Sequence, residues 1–223
     1  KQGHHLFHEF HAGHAPGLLG GAGNLKVENG ILTIEGQTAL SGNTEIGAGG
    51  ALVFQPIEGK SGSFTSPGLK ASREITIRDS GTLTNKASDL ELQAVTLETG
   101  GTIEVRDSMS LQSGQKGGPT GSNLEGRITG AGSLQMLGNA DRIANPNPDF
   151  TGLFIVGGSA NPDAQTTLDA TGAIGAATDD SVENVEIRND ATLVIDAPNA
   201  VNPARELRMD GDSELQLTES QTL

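Results

Sequence analysis

Residues 29–36 read NGILTIEG and residues 49–56 read GGALVFQP, and these two stretches decide the fold. Each opens with turn-forming residues and then places an apolar side chain at every second position, with Leu32 and Leu52 fourth. The same pattern returns at 80–87, 100–107, 190–197 and 212–219, with Asn85 as the one polar residue at the sixth position. A period of two indicates short strands that each bury one face, and its repetition predicts a repeat architecture.

A second alternating segment precedes each repeat: LKVE, TEIG, EITIR, VTLE, VEIR or ELRM. In five of the six cases the last inward position of this segment lies six residues before the first inward position of the repeat, as with Ile46 and Leu52. Gly, Asn and Asp fill the gap, and these residues supply the positive φ that a tight corner can require. The predicted unit is therefore a short strand, a corner and another short strand.

The long-range spacing separates the two architectures that this unit allows, a β-hairpin and a solenoid. Equivalent positions recur after 20 residues from Leu32 to Leu52, after 20 from Leu83 to Ile103, and after 22 from Leu193 to Leu215. A period of about 20 residues matches one coil of a parallel β-helix, whose coils stack about 4.8 Å apart. The sequence predicts an all-β solenoid with loop insertions.

Five irregular stretches rich in Gly, Pro, Asn or Ser interrupt the repeats, and we predict loops there: 56–72, 112–123, 139–149, 157–166 and 196–204. The strand pattern resumes after each of them. We therefore predict a single β-helix domain over 22–223, a fragment of a longer protein, preceded by an N-terminal tail or cap over 1–21.

The composition excludes several classes of function. The chain has 28 Asp and Glu against 14 Lys and Arg, a net charge of −14, which disfavours nucleic acid and anionic membranes as partners. The chain contains no cysteine, so it forms neither a disulfide scaffold nor a thiolate site. It also lacks Trp and Tyr, the aromatic platforms on which sugars usually rest.

Four segments resemble the passenger regions of autotransporters of Gram-negative bacteria: LEGRITGAGSLQMLGN (124–139), NPNPDFTGLFIVGGS (145–159), LDATGAIG (168–175) and VEIRNDATLVI (185–195). The likeness covers about 124–217 and extends more loosely over 24–107. It implies a right-handed parallel β-helix, exported to the cell surface and tethered there by a translocator barrel that is not part of this sequence. Cysteine scarcity fits such passengers, which cross the periplasm unfolded.

The resemblance also implies an adhesive or self-associating role without enzymatic activity. We expect binding through a polar face and protruding loops to a protein or glycan on a host or neighbouring cell, or to another copy of the chain. Two alternatives stay open. One is a structural stalk that displays another domain, and the other is an enzyme that cleaves polysaccharides.

Residues that could carry chemistry have simpler explanations as turn residues. Asp79-Ser80-Gly81 is the nearest match to a serine-protease nucleophile, but it lies in a repeat corner where these residue types are ordinary. Clustered carboxylates would be needed for glycoside cleavage, and the candidates are Asp79, Glu98 and Asp107, or Asp179 and Asp180. Solvated corners explain them better, so we predict no catalytic residue.

The stretch NPNPD (145–149) is most simply a rigid loop before the Phe150 strand. Its second interpretation is an exposed contact loop with Asn145, Asn147 and Asp149 as the binding residues. Asp and Asn oxygens in turns can also bind calcium, but the sequence has neither a Gly-Gly-x-Gly-x-Asp array nor an EF-hand loop. We expect no calcium and no other resident cofactor.

All five histidines lie in HHLFHEFHAGH (4–14). Helical spacing would bring His4, His8 and His11 together as a three-imidazole face able to bind Zn or Ni adventitiously. The same segment would also serve as an amphipathic cap over the first coil, or it is a residue of an expression vector. A cap, a tail or a remnant of an expression vector is the leading interpretation, and the metal face comes after them.

Overall fold

The computed structural model describes residues 13–15, 19–21, 23–35, 38–40, 42–47, 49–55, 75–86, 90–93, 95–112, 121–175 and 184–220. Over these ranges the chain is all-β, and its parallel strands stack as a solenoid of about seven turns. The predicted fold class is thereby confirmed. Within the same ranges, no helix is long and apolar enough to cross a membrane.

The strands, numbered β1 to β23 along the chain, form three long sheets and one short one. Sheet 1 contains β3 (Leu25–Glu28), β6 (Thr44–Gly47), β8 (Ile75–Ile77), β11 (Val95–Leu97), β14 (Asn123–Leu124), β17 (Asp141–Ile143), β19 (Gln165–Leu168), β21 (Thr192–Ile195) and β23 (Glu214–Leu217). Sheet 2 contains β1 (Gly13–Ala15), β4 (Ile31–Ile34), β7 (Ala51–Phe54), β9 (Thr82–Asn85), β12 (Thr102–Val105) and β15 (Arg127–Thr129). Sheet 3 contains β10 (Leu90–Leu92), β13 (Met109–Gln112), β16 (Leu134–Leu137), β18 (Phe154–Val156), β20 (Val185–Ile187) and β22 (Leu207–Met209), while β2 (Leu19–Gly21) pairs with β5 (Thr38–Leu40).

The strand register confirms the spacing argument residue by residue. Leu32 is the pairing partner of Leu52, Leu83 that of Ile103, and Leu193 that of Leu215, all in parallel strands. A β-hairpin would have paired neighbouring strands antiparallel, whereas here consecutive strands belong to different sheets. A full coil passes through sheet 1, then sheet 2, then sheet 3.

The core consists of rows of aliphatic side chains stacked from coil to coil. One row of sheet 1 is fully buried along eight consecutive strands: Val27, Ile46, Ile77, Leu97, Leu124, Ile143, Leu168 and Ile195. Burial of each such side chain stabilises the fold by about 1.5–3 kcal/mol. The row ends at Leu217, which is 49% exposed.

The corners that lead from sheet 1 into β7, β9 and β12 use two residues for different reasons. The first residue takes a positive φ, as Ser80 and Gly100 do, at 63° and 89°. The second is glycine because the neighbouring coil leaves no room: a Cβ on Gly50 would lie 2.1 Å from the carbonyl oxygen of Val27, and one on Gly81 2.5 Å from that of Ile46. Close approach, rather than positive φ alone, therefore explains the paired small residues that open each repeat.

Asn85, the exception in the repeat, occupies a fully buried inward position between Phe54 and Val105. Its Nδ2 donates a hydrogen bond of 2.9 Å to the carbonyl oxygen of Ser108. The amide therefore satisfies a polar atom inside the core and fixes the following corner.

Two features at the edges of the predicted segments are visible. Strands β1 and β2 pair with β4 and β5, so the segment 1–21, predicted as a tail or cap, contains strands of the stack. Their sequences, GHA and LGG, lack the alternation of large apolar residues that marks the later strands. The predicted loop 139–149 contains β17, which was missed because the buried Asp141 breaks the apolar pattern.

Candidate binding surface

The outer face of sheet 1 carries a ladder of ion pairs. The Lys26 ammonium lies 2.7 Å from the Glu28 carboxylate and 3.4 Å from that of Glu45. The Arg78 guanidinium lies 3.2 Å from Glu45 and 2.7 Å from Glu98, so it bridges two carboxylates on different coils. These side chains are partly exposed, and pairs of this kind contribute little to stability. Their main effect is to hold the charged groups of this face in fixed orientations.

The same contacts shift two titrations. A hydrogen bond from Arg78 lowers the pKa of Glu45 below its ordinary value, and the nearby positive charges act in the same direction. A hydrogen bond to Glu28 raises the pKa of Lys26. Glu45 is therefore ionised at neutral pH, which is the wrong state for a general acid.

A second charged group lies further along the same sheet. Arg142 donates from Nε to Asp169 at 2.9 Å, and its Nη1 lies 3.3 Å from the Asn123 side-chain oxygen and 3.6 Å from the Glu125 carboxylate. These four residues lie on or directly after β14, β17 and β19, which are consecutive in the sheet. Sheet 1 thus presents an outer surface of mutually neutralised charges.

The outer face of sheet 2 is different in composition. Over β4, β7, β9, β12 and β15, ten outward positions form two rows in register. Five are threonine, three are aliphatic and two are charged: Thr33, Thr82, Thr84, Thr102 and Thr129; Ile31, Ala51 and Val53; Glu104 and Arg127. Thr84 is 6% exposed and its hydroxyl donates to Glu104 at 3.2 Å, so nine of the ten positions are open to solvent. Ile31 is 54% exposed, a high value for a large apolar side chain in a strand. The face combines small, stiff β-branched side chains with few charges.

Sheet 3 has one outward row and a groove beside it. The row runs Glu91, Ser110, Gln135, Ile155, Glu186 and Arg208 in register. A groove of about 270 Å³ follows its first four members and is lined by Glu91, Ser108, Met109, Ser110, Ser133, Gln135 and Ile155. These residues were not predicted from the sequence, although Ser108 and Ser133 directly precede β13 and β16 and could have been placed at strand starts.

A second groove, of about 600 Å³, lies at the end of the described solenoid and includes Arg188, Arg208 and the half-exposed Met209. Arg188 is paired with Glu186, and Arg208 lies 2.9 Å from Glu206. The hydrogen bond to Glu206 raises the pKa of Arg208, and its counterpart lowers the pKa of Glu206. Both arginines are therefore engaged by carboxylates of their own coils.

Asp141 is the most unusual titratable group of the described residues, since it occupies an inward position of sheet 1 and is 1% exposed. Its two carboxylate oxygens accept hydrogen bonds from the backbone N–H groups of Ser122, at 2.6 Å, and Gly138, at 2.8 Å. Burial raises the pKa of Asp141 to about 6, against the lowering effect of these hydrogen bonds. The carboxyl group closes a turn inside the stack rather than facing a ligand.

Stability is expected to fall as the pH rises through 6 because of Asp141. The folded state holds the Asp141 proton more tightly than the unfolded state, whose carboxyl titrates near 3.8. The stabilising contribution of the proton is therefore complete below about pH 3.8 and lost above about pH 6, at most about 3 kcal/mol. A ¹³C NMR titration of the Asp141 carboxyl should give a midpoint near 6. The Asp141→Val variant should lose this part of the pH dependence in urea unfolding, and a carboxyl that titrates with the exposed aspartates would contradict the assignment.

The predicted contact loop is only partly available for contact. Asn147 is fully buried, so its predicted role in binding is wrong: its Oδ1 accepts from the Ile128 N–H at 2.7 Å, and its Nδ2 donates to the carbonyl oxygens of Asn145 and Ala173. Asn145 is partly exposed, and Asp149 is exposed and paired with Arg127. The loop therefore offers Asn145 and Asp149 to solvent, while Asn147 stabilises the stack.

The other predicted residues fall into two groups. His4, His8 and His11, and also Asp179 and Asp180, lie outside the described residues. Of the carboxylates considered for catalysis, Asp79 and Glu98 lie at stacked corners between sheets 1 and 2, and Glu98 is bound by Arg78. Asp107 lies beyond the far end of β12, at the corner with sheet 3, so the structure does not bring the three together. Within the described part of the chain, no three His, Cys, Asp or Glu side chains are grouped in a way that could hold a metal ion.

Comparisons with models of protein families, with curated proteins and with solved structures found no match.

Proposed function

We propose that this chain is a non-enzymatic adhesive module, exposed on the surface of a Gram-negative cell, which associates with other copies of itself through the outer face of sheet 2. The resemblance to autotransporter passengers supports the setting, and the parallel β-solenoid agrees with the fold that this resemblance implies. The observation that carries the proposal is the pair of outward rows on sheet 2, with five threonines, three aliphatic residues and two charged residues.

Size supports weak, repeated contact rather than a permanent dimer. Five strands about 4.8 Å apart and four residues at about 3.3 Å each give a face of roughly 300 Å². A stable interface buries about 800 Å² per partner. One such face therefore gives a weak contact, and many copies displayed on one surface convert weak contacts into firm adhesion through multivalency.

Charge supports the choice of this face. The net charge of −14 makes two copies repel each other at most orientations. On sheet 2 the outward rows carry one carboxylate, Glu104, and one guanidinium, Arg127, which are paired with Arg106 and Asp149 beside the rows. With only two charged residues among ten, and each of them neutralised, this face can approach another copy with little repulsion and limited loss of charge solvation. The ion-paired face of sheet 1 would have to desolvate Arg78 and its carboxylates to do the same.

Two matched double variants test the proposal. Thr82 and Thr102 are register partners on sheet 2, and Thr76 and Thr96 are register partners on sheet 1 in the same two coils. The purified chain is coupled to beads, and bead clustering is measured by light scattering at low and at physiological salt. Thr82→Lys with Thr102→Lys should abolish clustering, because two ammonium groups then face their copies, whereas Thr76→Lys with Thr96→Lys should leave it unchanged.

The control has the same change in net charge and residue type, so it removes both as explanations. Clustering that survives equally in both variants would exclude the sheet 2 face. Beads of the parent chain that do not cluster at either salt concentration would overturn self-association and favour the stalk that displays another domain. Release of reducing ends from a polysaccharide by the purified chain would instead favour the enzyme.

A further inference from the structure

We infer that the groove on sheet 3 binds one uncharged hexose unit of a glycan. The groove has a volume of about 270 Å³ and is lined by three serine hydroxyls, one carboxylate and one primary amide, on Ser108, Ser110, Ser133, Glu91 and Gln135. Drug-sized ligands occupy pockets of about 300–1,000 Å³, so this groove suits a ligand at the small end of that range. For its biological setting the inference rests on the proposed adhesive function, but it concerns a different sheet and a different ligand.

The lining groups match the chemistry of a sugar. Serine hydroxyls both donate and accept, and a carboxylate accepts from two neighbouring hydroxyls, which are the pairings that a polyol requires. Ser108 and Ser110 lie two residues apart along the chain, about 6.6 Å, and Ser133 lies one coil away, about 4.8 Å from Ser108. Hydroxyls around the rim of a hexose ring span comparable distances. Ile155, which lies on the same outward row and is 7% exposed, is the apolar side chain against which C–H groups of the ring can rest, whereas the Met109 side chain packs in the core.

Several of these groups are fixed before any ligand arrives. The Ser108 carbonyl accepts from Leu90 N–H at 3.1 Å and from Asn85 Nδ2 at 2.9 Å, while the Ser108 N–H donates to Asp107 Oδ1 at 2.7 Å. This backbone therefore cannot reorient freely. Preorganisation reduces the entropy that ligand binding would otherwise lose.

The Gln135 side chain is held in the same way. Its Nε2 donates to the Gly157 carbonyl at 2.8 Å, and the backbone of Gly158 approaches so closely that a Cβ there would lie 2.5 Å from that nitrogen. The Gln135 amide is thus fixed at the third position of the outward row, between Ser110 and Ile155. The buried amide of Asn85 is therefore one support of the groove and the loop carbonyl of Gly157 is another.

Charge selects against acidic sugars. Among the described residues of the lining, Glu91 is the one that carries a charge. A uronic acid or sialic acid would place its carboxylate beside Glu91 on a chain of net charge −14. The described lining contains no aromatic residue and the sequence has no Trp or Tyr, so the affinity of one groove should be weak, with a Kd of about 1–10 mM.

The test is a ¹⁵N–¹H NMR titration of the folded chain with the methyl glycosides of mannose, galactose and N-acetylglucosamine, and with glucuronic acid as the anionic probe. We expect at least one neutral glycoside to shift amide signals of residues 91, 108–110, 133–135 and 155. The variant with Ser110→Val and Ser133→Val should weaken this binding at least tenfold. The control Thr96→Val, an equivalent change on sheet 1, should leave it unchanged.

Three results would overturn the site: no shifts with any neutral glycoside at roughly ten times the expected Kd, shifts that persist in the double serine variant, or equal binding of glucuronic acid. The bead assay distinguishes this failure from failure of the proposed function, because clustering through sheet 2 does not need the groove. Parent beads that cluster while the groove is inert would leave the adhesive module intact and remove only its glycan site.

Discussion

Replacement of Arg205 by alanine is expected to lower the free energy of unfolding by about 3–5 kcal/mol. The guanidinium is nearly buried and donates to three backbone carbonyls: Nε to Gly175 at 2.5 Å, Nη1 to Gly152 at 2.7 Å, and Nη2 to Phe150 at 3.0 Å. It also lies over the Phe150 ring, 5.7 Å from its centroid. The alanine variant would leave three buried carbonyl oxygens without these donors, and each such loss costs about 1–3 kcal/mol before relaxation.

Urea unfolding, followed by circular dichroism, measures the loss. Arg205→Lys should recover only part of it, because a single ammonium cannot reproduce the planar fork that reaches three carbonyls. The matched control is Arg188→Ala, which removes a partly exposed arginine paired with Glu186 and should change stability by no more than about 0.5 kcal/mol. Equal small losses for Arg205→Ala and Arg188→Ala would show that Arg205 does not connect the coils.

Arg205 acts where regular sheet structure becomes sparse. Strand β15 is the last named strand of sheet 2, and beyond it this side of the solenoid is joined by isolated bridges from Gly130 to Phe150 and from Ile174 to Val201. Fewer ladder hydrogen bonds are then available to hold adjacent coils together. The Arg205 guanidinium contacts carbonyls 30 to 55 residues earlier in the chain and so replaces part of that ladder.

The aliphatic rows could be predicted from the sequence, because in each strand the apolar residues recur at every second position, which marks the buried face. Leu32 and Leu52 needed only their spacing of 20 residues to be placed side by side, and the register confirms it. The buried polar residues could not be predicted in this way. Asp141, Asn147 and Arg205 look like loop residues, because their burial depends on backbone groups from other coils that no local pattern reveals.

The existence of polar outer faces could be predicted from the sequence, but the charge content of each face could not. A polar face follows from strands that alternate buried and outward residues, but its charge content depends on which outward residues the register brings together. On sheet 1 the register places Arg78 between Glu45 of the preceding coil and Glu98 of the following coil. On sheet 2 the register places Thr82 beside Thr102. Thr82 beside Thr102 follows from the same spacing of 20 residues as Leu83 and Ile103. The pairing of Arg78 with Glu45 spans the insertion between β7 and β8, 33 residues, and was not available from spacing.

Replacement of Asn147 by alanine is expected to lower the free energy of unfolding by about 3–6 kcal/mol. Its side chain accepts from the Ile128 N–H at 2.7 Å and donates to the carbonyl oxygens of Asn145 at 2.8 Å and Ala173 at 2.9 Å. The amide thus imitates a backbone peptide and joins β15, the last named strand of sheet 2, to the two coils that follow it. In the alanine variant one buried donor, the Ile128 N–H, and two acceptors, the Asn145 and Ala173 carbonyl oxygens, lose these hydrogen bonds. The backbone around Pro146 and Pro148 has little freedom to rearrange and replace them.

Asn147→Asp separates the donor role from the acceptor role. The carboxylate keeps the size of the amide and can still accept from Ile128, but it faces the Asn145 and Ala173 carbonyls with negative charge instead of N–H groups. We therefore expect it to be at least as destabilising as Asn147→Ala at pH 7 and to recover stability on acidification, when the added carboxyl is protonated.

Urea unfolding gives the global change, and hydrogen exchange of the Ile128 amide shows whether these coils open locally before the rest. Asn145→Ala is the control, since this side chain is partly exposed and its hydrogen bond goes to the adjacent Pro146 carbonyl. A loss for Asn147→Ala no larger than that of the control, with unchanged exchange at Ile128, would mean that the backbone alone holds these coils together.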